Sequence, residues 1–287
     1  MLRPTPEQLS TLTAFEKKAF AIADTINRHA SLKRAAHAFL KTIGAGWVHV
    51  CTRNLLRVRG VEHLRDLDPN RGVVIVSNHR SFFDLYVMAS VLLRNTDWVD
   101  GMYFPVRGDY FYERIDGIAV NAIMSAWAMY PPVMRRPEAR TFNEYTVDLM
   151  AELLQHRGTV VGMHPEGTRN KSDDPYTLLP AQPGIGQMVH RAKPIVVPVF
   201  VLGLGNDIRK QVQGNFTGGG DPITMVCGPP VDLAPHLAEP PRLRTYMKIA
   251  HKLRDTLTEL GHQEREWRLR DNLPYLGPKP PHSTIEA

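Results

Sequence analysis

Two short runs, Val73-Val74-Ile75-Val76 and Thr159-Val160-Val161-Gly162-Met163, constrain this chain more than any other feature. Each is apolar or β-branched almost throughout, without the polar alternation of a half-exposed strand, so each reads as a buried strand. The chemistry lies in the segments just C-terminal to them. After the first comes Asn78-His79-Arg80-Ser81-Phe82-Phe83-Asp84 and then the helical pattern Leu85-Tyr86-Val87-Met88. That is a strand-to-helix turn, with His79 at the strand's C-terminal end and Asp84 in the first helical turn.

In such a turn Asp84 can hydrogen-bond one imidazole nitrogen of His79 and leave the other facing a cleft. A histidine is largely unprotonated at neutral pH and free to accept a proton. A carboxylate behind it fixes the tautomer and stabilises the imidazolium that forms, as in a serine hydrolase triad. No protein nucleophile lies in the motif, so the attacking hydroxyl belongs to a substrate. The alternative is structural, with His79 capping the strand and Asp84 capping the helix.

After the second run, Pro165-Glu166-Gly167-Thr168-Arg169 offers a loop suited to an anion. Arg169 can pair bidentately with phosphate, Thr168 can donate its hydroxyl, and Gly167 permits close backbone approach or positive φ. A carboxylate repels phosphate, so Glu166 is expected to orient Arg169 or to accept a hydrogen bond from a substrate hydroxyl. Alone, the tetrapeptide also fits a surface turn with a salt bridge.

In order, spacing and strand context the two stretches resemble the glycerolipid acyltransferases of the lysophosphatidic acid (1-acylglycerol-3-phosphate) type, whose signature is His-x4-Asp with Glu-Gly-Thr-Arg further along the chain. The resemblance covers about residues 55 to 230. It implies transfer of a fatty acyl chain from a thioester, acyl-CoA or acyl-carrier protein, onto a lipid alcohol such as lysophosphatidic acid. On this resemblance His79 is the base, Asp84 its orienting partner, and Glu166, Gly167, Thr168 and Arg169 the acceptor-phosphate loop. Tyr130-Pro131-Pro132-Val133-Met134-Arg135-Arg136 resembles the family's short apolar segment ending in arginine, making Arg135 or Arg136 a second phosphate ligand. Ile195-Val196-Val197-Pro198-Val199 resembles its proline-containing strand, and Ile223-Thr224-Met225-Val226-Cys227 its last one. His164 stands where many members carry an aromatic residue, and Gln182-Pro183-Gly184 where they show Lys-x-Gly. The same chemistry on a glycolipid or other lipid alcohol is the second reading, and a catalytically silent lipid-binding protein the third. No cofactor and no metal are implied.

At 287 residues and 43% hydrophobic, the chain is long enough for one large α/β domain. Only Cys51 and Cys227 are present, which excludes a disulfide framework and points to a reducing compartment. No run of about 18 apolar residues and no signal-peptide pattern appears, so a peripheral place on the cytoplasmic face of a membrane is expected. The first 60 residues hold ten Lys plus Arg against Glu7, Glu16 and Asp24, a formal +7 where the whole chain has +6. Leu9, Leu12, Phe15, Ala19, Ile22 and Ile26 keep helical spacing; Ser31 can cap a second helix bearing Leu32, Ala36, Phe39, Leu40, Ile43 and Trp47. Residues 1 to 50 therefore read as a basic amphipathic pair on an anionic lipid surface, and residues 51 to 287 as the acyltransferase domain. Packing on the core is the alternative for that pair. The basic residues do not interleave with aromatics, which excludes a nucleic-acid platform.

Trp98 to Phe111 reads as core, and Gly203 to Gly220 as a mobile glycine-rich loop. Leu243, Tyr246, Met247, Ala250, Leu253, Leu257 and Leu260 predict a long C-terminal helix that continues into the charged Glu264 to Arg270, before a disordered tail from Pro278. The fold class is α/β, a mixed, mostly parallel sheet flanked by helices, with its cleft at the strands' C-terminal ends.

Overall fold

The computed structural model describes residues 1–274 and 276. Its strands are β1 (Leu56–Arg59), β2 (Val73–Ser77), β3 (Gly101–Tyr103), β4 (Val106–Arg107), β5 (Pro132–Val133), β6 (Thr159–Met163), β7 (Ile195–Leu202) and β8 (Ile223–Cys227). Six form one sheet in the order β1-β8-β7-β2-β6-β3, and β4 pairs with β5 alone. β7, β2, β6 and β3 run parallel, β8 runs against β7, and β1 is parallel to β8. The sheet is mixed and mostly parallel. Both apolar runs lie side by side at its centre, with Val76 opposite Met163 on one flank and Pro198 on the other. Every residue of β2 is buried, because helices cover both faces of a parallel sheet.

Leu243–Arg270 is a single helix of 28 residues, packed on β7, β8 and the helix Pro183–Ala192. Close approach needs Gly186, where a Cβ would meet the Tyr246 carbonyl oxygen at 1.9 Å. The charged end of this helix is not a solvated face. Glu264 and Arg268 are fully buried and paired at 2.8 Å, with Thr224 and Tyr176 completing the hydrogen bonds. A buried ion pair is tolerated only when its remaining donors and acceptors are satisfied in this way.

The N-terminal segment divides differently from the periodic reading. A short turn Pro6–Ser10 precedes the helix Ala14–Arg28, and each carries a capping box, Thr5 with Gln8 and Thr13 with Glu16. This first long helix packs on the domain, with Phe20 edge-on to Phe142 and Tyr145. The second, Ala30–Phe39, starts at His29 without a side-chain cap, so Ser31 lies inside the first turn rather than capping it. It continues through a π-helical turn, Leu40–Gly44, into Ala45–Thr52. Lys33 fastens it to the sheet's edge: its Nζ donates to the Met102 carbonyl on β3 at 2.9 Å and to Asn27 at 2.8 Å. Burial pushes that ammonium down to about 7. Leu32, Phe39, Ile43, Trp47 and Val50 remain exposed.

Trp98 through Phe111 is largely core, as Val99, Met102, Tyr103, Phe104, Val106 and Phe111 are buried. The glycine-rich stretch differs from expectation: residues Ile208–Thr217 form a helix, opened by the Asp207 carboxylate and closed by Gly218 at φ 75°. Among the described residues no helix is long and apolar enough to cross a membrane. The tail from Pro278 lies outside the described residues.

Candidate active site

β2 and β6 are neighbours and parallel, so the loops after Ser77 and after Met163 leave the same end of the sheet. Asn78 directs the first loop. Its side chain donates to the Val201 carbonyl and accepts from the Val201 N–H, both at 2.8 Å, extending the β2–β7 ladder by one side-chain rung. The next residue, His79, turns into the cleft, and the helix Asp84–Asn95 begins five residues later.

His79 Nδ1 lies 3.1 Å from Asp84 Oδ2. The same oxygen accepts the backbone N–H groups of Arg80 at 2.7 Å and Ser81 at 2.8 Å, so the carboxylate is held by the turn it helps to close. A carboxylate accepts and does not donate, which makes Nδ1 the protonated nitrogen and leaves Nε2 with a free lone pair. Burial raises the Asp84 carboxyl to about 6, against the lowering influence of His164 and of those two N–H groups. Burial, and then the positive charge of Arg169, lowers His79 to about 4. The imidazole is therefore neutral across the physiological range.

Glu166 is not aimed at Arg169 or at solvent. Its Oε1 accepts the His79 N–H at 3.0 Å and its Oε2 the Leu179 N–H at 2.9 Å. It is buried, and burial raises its carboxyl. Its role in the structure is to tie the histidine loop to residue 179, which corrects both expectations for it. Gly167 adopts φ +64°, where a Cβ would also press on Gln182 at 3.1 Å. Thr168 is half-buried and Arg169 exposed. Arg169 reaches across to Asn206, whose Oδ1 accepts its guanidinium and the Phe82 N–H, each at 3.0 Å.

The two remaining arginines separate. Arg136 is engaged by the buried Glu16 at 2.5 Å and by the Thr11 carbonyl at 2.9 Å. It binds the N-terminal helix to the domain, so its guanidinium is not available as the phosphate ligand expected of it. Arg135 points to solvent. Among the described residues no cluster of His, Cys, Asp and Glu has metal-binding geometry.

Three residues of the site had no role in the sequence reading. Asn78 was legible only as part of a motif. Asn206 sits in the stretch read as a mobile loop, where Gly205 also accepts the Ser81 hydroxyl at 2.9 Å. His164, conspicuous only as a departure from the resembling family, stacks flat on His79 with ring centroids 3.9 Å apart and planes 4° apart.

Beside the histidine turn runs a groove of about 430 Å³ of empty space, partly open to solvent. Phe83, Tyr86 and Val87 form one wall, Trp47, Val48 and Cys51 another, with Met124, Leu204 and Ile208 around them. Its lining is almost wholly apolar.

Residues 55–202, slightly more than half the chain, match the family model described as Acyltransferase. The chain belongs to the acyltransferase family. The fold of this acyltransferase is also that of a solved enzyme, the 1-acyl-sn-glycerophosphate (LPA) acyltransferase PlsC from Thermotoga maritima. That structure is 15% identical, with a TM-score of 0.53 over 90% of this chain and 95% of the other. No curated protein matches the acyltransferase in sequence. His79, Asp84 and Glu166 through Arg169 all fall inside the matched residues, at the carboxyl ends of the acyltransferase's two central strands.

Proposed function

We propose that the acyltransferase moves a fatty acyl chain from an acyl thioester, acyl-CoA or acyl-carrier protein, to a hydroxyl of a lysophospholipid such as lysophosphatidic acid. One observation carries the reading: the His79 imidazole, neutral and fixed by Asp84, belongs to the same strand-to-helix turn as Phe83, which lines the apolar groove. Its Nε2 takes the proton from the acceptor hydroxyl as that oxygen attacks the thioester carbonyl. The tetrahedral intermediate then expels the thiolate, the carbon–sulfur bond breaks, and the imidazolium returns the proton to sulfur. The acyl chain lies along Phe83, Tyr86, Val87 and Met124. Thr168, Arg169 and the exposed Arg135 supply the hydroxyl and charges for an acceptor phosphate.

Arg136 is committed to Glu16, which leaves Arg135 as the second cation, and Gln182 stands where the resembling family carries a lysine. This favours a second reading, the same chemistry on a glycolipid or another lipid alcohol.

Lipid contact at the cytoplasmic face of a membrane, without a spanning segment, is supported by the exposed Leu32, Phe39, Ile43 and Trp47 within a segment of formal +7. The helix Ile115–Ser125, which packs against the turn Leu40–Gly44, also leaves Ile115 and Ile123 exposed, at 78% and 70%.

Purified protein offered a labelled acyl-CoA with a panel of lysophospholipids and lipid alcohols, with mass spectrometry of the products, tests acceptor and chemistry together. Acylated lysophosphatidic acid is the expected product; label appearing only in glycolipid transfers the assignment to the second reading. Substituting His79 by alanine is expected to lower turnover by about a thousandfold or more while leaving the fold intact, and full activity in H79A removes the base assignment.

A further inference from the structure

His164 occupies the first position after β6, opposite the end of β2. Its Nδ1 lies 3.0 Å from the Ser77 carbonyl oxygen and 3.1 Å from the Ser77 hydroxyl. That anchor fixes the ring in one plane, and the His79 imidazole lies flat on it. His79 thus has three constraints: Asp84 at Nδ1, Glu166 at its backbone N–H, and a planar floor beneath the ring. Only the first two are supplied by the signature residues.

We propose that His164 is a positioning residue for His79, a flat platform keyed to Ser77 that holds the catalytic imidazole in the plane where Asp84 and the acceptor hydroxyl both meet it. The inference rests on the reading of His79 as the base. The chemistry of the pair agrees with it. Burial lowers His164 to about 3, with the neighbouring His79 acting in the same direction, so this ring stays neutral while His79 gains a proton during turnover. A neutral π face under an imidazolium attracts it, whereas a second cation there would oppose proton uptake. Its Nε2 is buried without a partner among the described residues, a cost a strand cap alone does not require.

A platform and a mere strand cap predict different variants. H164F keeps a flat ring and loses the Ser77 anchor; H164A loses both. If the platform matters, H164A lowers kcat about tenfold or more while KM for donor and acceptor stays within about twofold, and H164F stays within about threefold of the parent. The pH profile separates them again. Asp84, at about 6, and the charge of Arg169 face the same ring and are kept in both variants. Burial is the chief cause of the low His79 value, so opening one ring face to water in H164A moves the His79 contribution to the acid limb of kcat/KM up toward the ordinary histidine range, and H164F leaves it in place. H164L, similar in volume but not planar, takes the place of H164A if that variant does not fold, with the same expected loss in kcat. Unchanged kcat and acid limb in the non-aromatic variant, or equal impairment of folded H164F, overturns the proposal. Activity retained in H79A would instead remove the base assignment on which it rests, so the two failures are distinguishable.

Discussion

At the scale of single residues the site works by removing freedom from one imidazole. Asp84 is the residue that does this at Nδ1, and the same oxygen holds two backbone N–H groups. D84N keeps a carbonyl acceptor for the turn but removes the charge that favours the imidazolium. Turnover of D84N is expected to fall by about a hundredfold or more with little change in thermal unfolding, measured by steady-state kinetics beside a melting curve. E166Q poses the opposite problem, since its amide presents one acceptor and one donor to two N–H donors. A loss of about 1–3 kcal/mol in denaturant unfolding is expected. The pH dependence comes from the same residues. His79 and His164 have folded values of about 4 and about 3 against 6.5 for the free group. The unfolded chain therefore binds more protons below 6.5, and the stability they contribute is lost as pH falls from there toward the folded values. Asp84, raised from 3.8 to about 6, takes up a proton in the folded state and offsets part of that loss below about 6. Denaturant titrations at about pH 7 and about pH 5 are expected to show a steeper decline for the parent than for H164F. His79 and Asp84 were readable from spacing, because five residues across a strand-to-helix turn bring them together. The destination of Glu166 was not, since its partners are backbone groups that no side-chain pattern marks.

Among the elements, the two central strands were legible because full burial in a parallel sheet leaves an uninterrupted apolar run. The helix Ile208–Thr217 was hidden by its composition: its apolar stripe is only Ile208, Val212 and Phe216, set among Arg209, Lys210, Gln211, Gln213 and Asn215, and glycines flank both ends. It is held by a local cap, the Asp207 carboxylate on the N–H groups of Arg209 and Lys210, and by long-range bonds of Asn215 to Asn54 and the Val50 carbonyl. The end of the C-terminal helix hides its burial in the same way, because Glu264 and Arg268 read as surface charges until the sheet is in place. R268M leaves the Glu264 carboxylate buried with Thr224 and Tyr176 but no cation. It is expected to cost about 3–5 kcal/mol in chemical denaturation, with kcat unchanged at temperatures where the variant is folded.

For the whole molecule, the N-terminal segment divides into two parts that the sequence did not separate. The helix Ala14–Arg28 is part of the domain, through Phe20 and the Glu16–Arg136 pair, whereas residues 30–52 bury Leu40, Ala45 and Cys51 but leave Leu32, Phe39, Ile43, Trp47 and Val50 exposed. Removing residues 1–50 would therefore uncover the core as well as remove the exposed apolar residues of the proposed lipid contact. Point changes are the cleaner test: I43S with W47S is expected to weaken sedimentation with anionic vesicles by about tenfold or more while preserving the melting temperature. Undiminished binding would refute the lipid-facing role. The site itself joins segments far apart in the chain. Residue 78 is completed by residue 201, and the loop carrying His79 by residues 166, 179 and 206. A polypeptide emerging from the ribosome consequently carries its histidine and aspartate long before the amide at 206 and the rung at 201 exist to hold them. The bonds that fix this loop can therefore form only when most of the chain has been translated.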